Sequence, residues 1–405
     1  MTDRWFFVEP LDILAFRGNR MFGDEGAFGE TSIIPPPSVF AGAFRSLLFS
    51  LLSPDQQRDF QAGKKPQCSV GEQLGSPESP GTFRLRWLTL GRIQRDGGNN
   101  GKIELLVATP SDVALAKERD EQVEVAKVAS LISPSPEVAT SSAVTEQLST
   151  LVTSRRTKTS SGFISGQGYQ DYLNGSATVD TVASNDIYSY DTRVGIGLDL
   201  DTRTAQESML YSARFLRLHS CGGYSTGYVV GIAGAEALPN QGFLRLGGDG
   251  KAVSYKEVTY NRPTGDYDQM VKSRCFKIVL LTPGIFTHGW LPALFEQDGD
   301  GRWHLSFNGL EAELISLSFP RPDTASGWDM HARRPKPAVR TVVAGSVYYL
   351  KLRKGDKDSL RELDEYLVKN TLVDHETEPI RNIEGFGIAQ LGAVVGKLQD
   401  HWHED

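Results

Sequence analysis

Two arginines, Arg17 and Arg20, close a hydrophobic run that starts at Leu11, and the segment Ile33-Ile-Pro-Pro-Pro-Ser-Val-Phe-Ala-Gly-Ala-Phe-Arg45 follows them. The chemistry such a pattern offers is anion binding. Three prolines cannot extend a helix backward, Ser38 is a good N-cap, and the unpaired N–H groups of a first turn attract a phosphate together with the helix dipole. Gly42, between Ala41 and Ala43, leaves the helix surface bare for a close approach, and Arg45 falls in the second turn. Taken alone, the segment fits an ordinary strand-to-helix connection with two surface arginines equally well.

A second candidate is Gly242-Phe-Leu-Arg-Leu-Gly-Gly-Asp-Gly-Lys251, where an apolar strand leads into Gly247, Gly248 and Gly250 before Lys251. Glycines let backbone N–H groups turn toward a phosphate or sugar and admit a close backbone. The order is not that of a P-loop, so it gives no support to nucleoside triphosphate hydrolysis. A plain tight turn is the competing reading. Gly385-Phe-Gly-Ile-Ala-Gln-Leu-Gly392 repeats the theme, with close strand-to-helix packing as its alternative.

Catalytic patterns are scarce. None of the histidines sits in a His-Glu-x-x-His motif, no Gly-x-Ser-x-Gly elbow exists, and His401 and His403 lie at an acidic terminus. His219, near Tyr224, Tyr228 and Lys251 in the sequence, is the one set suited to acid–base cleavage of RNA. Cys68, Cys221 and Cys275 are widely separated, so neither a disulfide framework nor a zinc site is indicated. No metal or cofactor is expected.

With 405 residues the chain is long for one core, and two domains are expected, 1–205 and 206–405. The net charge of −7 argues against a protein coated with nucleic acid and leaves room for a local basic groove. Arginine and lysine gather at Arg84 and Arg86, at Arg214 and Arg217, and at Arg333, Arg334 and Lys336, pairs that only a fold can unite. No apolar run approaches the ~20 residues of a membrane-spanning helix. The first residues, Met-Thr-Asp-Arg-Trp, form no signal-peptide core, so a cytoplasmic, membrane-free location is expected.

The elements that must position these residues start with a strand over Trp5–Phe16 and a helix from Ser38 to about Leu52. A glycine- and proline-rich stretch from Gly63 to Gly81 reads as loop. Strands over 83–93 and 102–109 flank Arg95–Gly101 and read as an edge hairpin. From Pro110 to Ser161 the chain is rich in Ser, Thr, Ala and Pro, and an inserted mobile segment is expected around 110–185. Its Ser154–Thr159 stretch suits an RNA-contacting arm or a plain exposed loop. Strands resume at Tyr188, and Leu360 to Lys369 is the clearest late helix. Strands and helices mixed without regular β-α-β spacing favour an α+β fold.

The ordered blocks Phe16–Arg20, Pro35–Arg45, Asp171–Gly175, Arg193–Ile196, Leu210–Ala213, Phe243–Gly250, Pro335–Pro337, Ala344–Tyr349 and Gly385–Ile388 resemble the Cmr subunit 3 family of type III-B CRISPR proteins in the RAMP superfamily. The resemblance implies two ferredoxin-like, RRM-related domains with insertions and glycine-rich loops. It implies a non-catalytic RNA-binding subunit that caps the 5′ tag of the CRISPR RNA. Its implied partners are that crRNA tag, the large polymerase-cyclase-type subunit and the backbone RAMP subunits. Carried onto this sequence, the RNA-binding positions are Arg17, Arg20, Ser38, Gly42, Arg45, Gly247, Gly248, Gly250 and Lys251. The enzyme alternative is a metal-independent ribonuclease with His219 as base, and a third reading is a scaffold that contacts mainly protein.

Overall fold

The computed structural model describes residues 3–16, 28–29, 32–95, 101–116, 125–133, 148–150, 158–159, 162–198, 201–248, 250–329, 331–372, 374 and 379–396. They form a mixed α and β structure in which strands predominate.

The opening strand, Arg4–Pro10, sits inside a nine-stranded sheet, between Tyr224–Ala233 and Ala252–Val258. Phe6 pairs with Val230 on one side and Glu257 on the other, both antiparallel. Its two faces are both covered. Phe6 and Val8 pack with Phe40, Phe44 and Leu48 of the first helix, while Phe7 joins Trp87 and Val229 in a different cluster. That is why the sequence reads as an unbroken apolar run instead of an alternating one. The strand stops at Pro10, short of the expected Phe16, and Leu14 bridges separately to Leu216.

The sheet continues from Tyr224–Ala233 through Arg84–Gln94, Ile103–Ala108 and Phe163–Ser165 to Thr181–Val182, and Gln241–Arg245 closes the other edge. The Arg84–Gln94 and Ile103–Ala108 pair is a hairpin as expected, with Leu90 opposite Leu106. It is interior and not an edge, because Tyr224–Ala233 and Phe163–Ser165 flank it. The stretch read as loop holds a short helix, Ser69–Leu74, capped by the Cys68 sulfur accepting from the Gly71 N–H.

A six-stranded sheet follows, in the order Phe295–Gln297, Trp303–Phe307, Leu310–Ser318, Val347–Lys354, Cys275–Leu280, Ala389–Ala393. The helix Lys357–Asn370 is fixed at its start by a capping box between Asp356 and Ser359, and it buries Leu360, Leu363 and Leu367. Asp364, fully buried on that helix, accepts hydrogen bonds from the Leu391 N–H, Arg262 Nη1 and the Tyr267 hydroxyl.

The two sheets share a core. Trp87, Val107 and Val229 from the first meet Val279, Ile315 and Tyr349 from the second, together with Tyr169, Tyr172 and Leu173 of the helix Gly166–Leu173. The position 205/206 falls at the start of the strand Ala205–Leu218, and the first sheet runs on to Val258. The described part of 110–185 carries regular structure: Val113–Ala116 pairs with Val125–Val128, and Tyr169 and Tyr172 are fully buried. A polar composition hid these apolar anchors, which lie far apart in the chain.

Candidate nucleic-acid interface

The glycine loop is built against the end of the first strand region. Gly247 has φ +79°, and a Cβ there would run into the Ala15 carbonyl and the Phe16 ring. The Gly248 N–H donates to that Ala15 carbonyl at 2.7 Å, and the Leu246 N–H donates to the Lys251 carbonyl at 2.9 Å. The Gly248 amide is therefore spent on Ala15, and the bare Gly247 lets the loop pack closely on Ala15 and Phe16. Gly250, at φ +63°, meets nothing within 4 Å and faces open space.

Phe16 is the last described residue before Arg17. Arg17 and Arg20 themselves lie outside the described residues. Leu14 exchanges two 2.8 Å backbone hydrogen bonds with Leu216, which ties the same segment to the long hairpin Tyr188–Leu198 and Ala205–Leu218.

That hairpin contributes Arg193, Arg214 and Arg217, none of which the motifs assigned to RNA binding. Arg193 and Lys251, far apart in sequence, each lie 5.3 Å from the centroid of the Phe215 ring. Arg214 lies 5.0 Å from the Tyr190 ring. Arg217 is 3.6 Å from Asp191 and 3.9 Å from Asp12. A ring face attracts each cation through its quadrupole. Arg193 is also 3.1 Å from Asp191, so these cations next to the glycine loop stand among the carboxylates of Asp191 and Asp12. The pair Arg214 and Arg217 was visible in the sequence, but the approach of Lys251 to Phe215 was not, since it joins a loop of the first sheet to a separate hairpin.

The first helix enters the same neighbourhood. It spans Pro37–Ser50 with Pro36 as its N-cap, so Ser38 is a first-turn residue and not the cap that the sequence suggested. Proline at the first helical position has the required φ and no N–H to leave unpaired. The Tyr228 hydroxyl donates to the Ile33 carbonyl, and its ring contacts both Phe40 and Phe16. Tyr228 thus fixes the entry to the helix beside the glycine loop. Gly42 is exposed with nothing within 4 Å of a built Cβ. Arg45 points elsewhere: it is largely buried, Nη2 lies 3.4 Å from the Leu74 carbonyl, and Nε has no hydrogen-bond partner. Burial pushes its pKa down, partly offset by Glu384.

The His219 set does not assemble into one site. His219 Nδ1 lies 3.0 Å from the Asn185 carbonyl and Nε2 lies 2.8 Å from Ser189 Oγ. Tyr228 is occupied as described, burial holds its phenol well above the ordinary range, and Arg92 covers the Tyr224 ring at 4.6 Å. In the third glycine segment, Gly387 at φ +70° abuts the Leu372 backbone and Gly385 at φ +84° abuts Leu85, which is close packing. Among the described residues no group of three His, Cys, Asp or Glu side chains is placed to hold a metal ion. Among them also, no helix is long and apolar enough to cross a membrane.

Two sheets sharing a core, with strands predominating over helices, are compatible with an α+β protein. The family described as CRISPR-associated protein (Cas_Cmr3) matches residues 6–394, and the chain belongs to that family. A chain from the type III-B Cmr-beta complex bound to cognate target RNA is 16% identical, with a TM-score of 0.47 over 94% of each chain. Another, from the complex with cognate target RNA and AMPPnP, is 15% identical with a TM-score of 0.46, covering 89% of this chain and 88% of that one. No curated protein matches the chain.

Proposed function

We propose that the chain is the RNA-binding subunit of a type III-B Cmr effector complex that caps the 5′ tag of the CRISPR RNA. In this role it joins the large polymerase-cyclase-type subunit to the backbone RAMP subunits, in the cytoplasm, and has no catalytic part of its own. Membership of the Cmr3 family supports the complex. The observation that carries RNA binding is the placement of Arg193 and Lys251 over one ring, beside a glycine loop locked to Phe16. Arginine forks onto phosphate oxygens, and the buried Phe215 ring serves to hold the two cations in place.

Strand order supports the finer fold reading of two ferredoxin-like units. In the first sheet Arg4–Pro10, Arg84–Gln94, Tyr224–Ala233 and Ala252–Val258 lie in the order fourth, first, third, second. In the second sheet Cys275–Leu280, Leu310–Ser318, Val347–Lys354 and Ala389–Ala393 repeat it. One split β-α-β crossover in each carries a long helix, Pro37–Ser50 in the first and Lys357–Asn370 in the second.

The test is a salt titration of guide-RNA binding, with and without the repeat-derived 5′ segment. Lys251→Ala and Arg193→Ala are each expected to flatten the slope of log K against log salt by about 0.7 on the tagged guide. Equal affinity for tagged and untagged guides, or unchanged slopes, would sink the reading. Repeat RNA incubated with the protein in EDTA is expected to stay intact.

A further inference from the structure

We infer that a second RNA-contacting surface lies on the arm Asp323–Thr341 of the C-terminal half, which grips a short single strand between an exposed tryptophan and arginines. The arm is a two-tier hairpin. Asp323–Ala325 pairs with Val339–Thr341, and beyond it Trp328–Asp329 pairs with Arg334–Pro335. Its root is firm: Ala325 packs with Ile285, Phe386 and Val339, and Lys336 Nζ lies 2.7 Å from Glu384. Gly284 and Val342 close the base with two backbone hydrogen bonds.

Beyond that root the arm is open and basic in a protein of net charge −7. Arg333, Arg334 and Arg340 are exposed, and none is joined to a carboxylate by an ion pair among the described residues. Asp329 forms no ion pair with them; its carboxylate accepts the N–H groups of His331 and Ala332 and so closes the tip. Trp328, 56% exposed, is opposite Pro335. An indole that large gains little in water, whereas a stacked base covers it, and neighbouring guanidinium groups suit phosphate oxygens. The choice of RNA as the strand rests on the function proposed above; the arm itself is argued independently of the glycine-loop surface.

The experiment uses the full chain and a labelled single-stranded oligouridylate, titrated with salt. Arg333→Ala/Arg334→Ala is expected to reduce the log–log slope by about 1.4, two phosphate contacts at about 0.7 each. Trp328→Ala is expected to weaken binding on the order of tenfold with its slope unchanged. Because these side chains are exposed, thermal unfolding should match the parent chain. An unchanged slope in the arginine variant overturns the inference, and so does parent-like affinity in Trp328→Ala. Lys251→Ala run in parallel separates the sites: a flattened slope there with unchanged arm variants rejects the arm alone, and the converse rejects the glycine-loop surface alone.

Discussion

The ammonium of Lys277 lies 3.2 Å from the carboxylate of Asp112, and neither side chain is exposed to solvent at all. The two come from different sheets' territories: Lys277 from the strand Cys275–Leu280 of the second, Asp112 from the segment leaving Ile103–Ala108 of the first. The Tyr172 and Tyr349 hydroxyls also donate to Asp112, and the Tyr172 ring lies 3.4 Å from the ammonium. Every oxygen of the carboxylate is thereby engaged across the junction.

Removing one partner of this pair strands the other. Asp112→Asn is expected to cost about 3–5 kcal/mol in urea unfolding at pH 7, and Lys277→Met with Asp112→Asn less than the sum of the two single changes. The pH dependence follows from burial, which lowers the Lys277 pKa below its ordinary 10.5. Between that lowered value and 10.5 the unfolded chain binds more protons, so stability gains with rising pH from this group. The gain should be larger in Asp112→Asn, where the attracting charge is gone. Equal pH slopes for the variant and the parent would contradict it.

The glycine loop separates two kinds of glycine. Gly247→Ala would place a methyl group against the Ala15 carbonyl at φ +79°, whereas Gly250→Ala meets only the conformational penalty at φ +63°. Gly250→Ala should cost about 1–2 kcal/mol. Gly247→Ala should cost more and also weaken RNA binding, because it pushes the loop off Phe16. Thermal unfolding and RNA titration of both variants check this, and identical behaviour would refute the docking role.

Arg4 fastens the first strand to the turn after Tyr224–Ala233. Its guanidinium reaches Glu257 at 2.7 Å and 2.9 Å and donates to the Leu238 carbonyl at 2.7 Å. The Arg4 hydrogen bond holds the Glu257 carboxyl below the usual glutamate value of 4.5. This stability is present above 4.5 and is lost as pH falls through the lowered folded pKa. Solvent screening keeps the ion-pair part to about 1 kcal/mol or less. Arg4→Ala should therefore show a shallower loss of stability on acidification than the parent, followed by urea unfolding between pH 6 and 3.

The cysteines divide by burial. Cys221 is exposed, while Cys275 is buried and its thiol is pushed up to about 11. At pH 8 only about one Cys275 in a thousand is a thiolate. Alkylation followed by peptide mass spectrometry should label Cys221 in the native chain and Cys275 only after denaturation. Rapid native labelling of Cys275 would contradict its placement.

The amino-acid pattern carried the local elements. Spaced apolar residues marked the helices Pro37–Ser50 and Lys357–Asn370, and the turn-forming run 95–101 marked the hairpin between Arg84–Gln94 and Ile103–Ala108. It also marked Gly247 through Lys251 as a loop beside a strand. It misassigned the cap at Ser38, because proline at N1 and an entry tied by Tyr228 define the start without a capping side chain.

Local spacing by itself marked the two long helices and the hairpin, since those depend on neighbours within a few positions, but it missed the helix Ser69–Leu74 and the stop of the first strand at Pro10. The family followed from blocks in a fixed order along the chain. Tertiary structure alone decided that Arg193 and Lys251 share the Phe215 ring, that Arg45 turns inward, and that Lys277 meets Asp112. Those relations depend on strand register and sheet order, which join residues tens to hundreds of positions apart through contacts that no local pattern encodes.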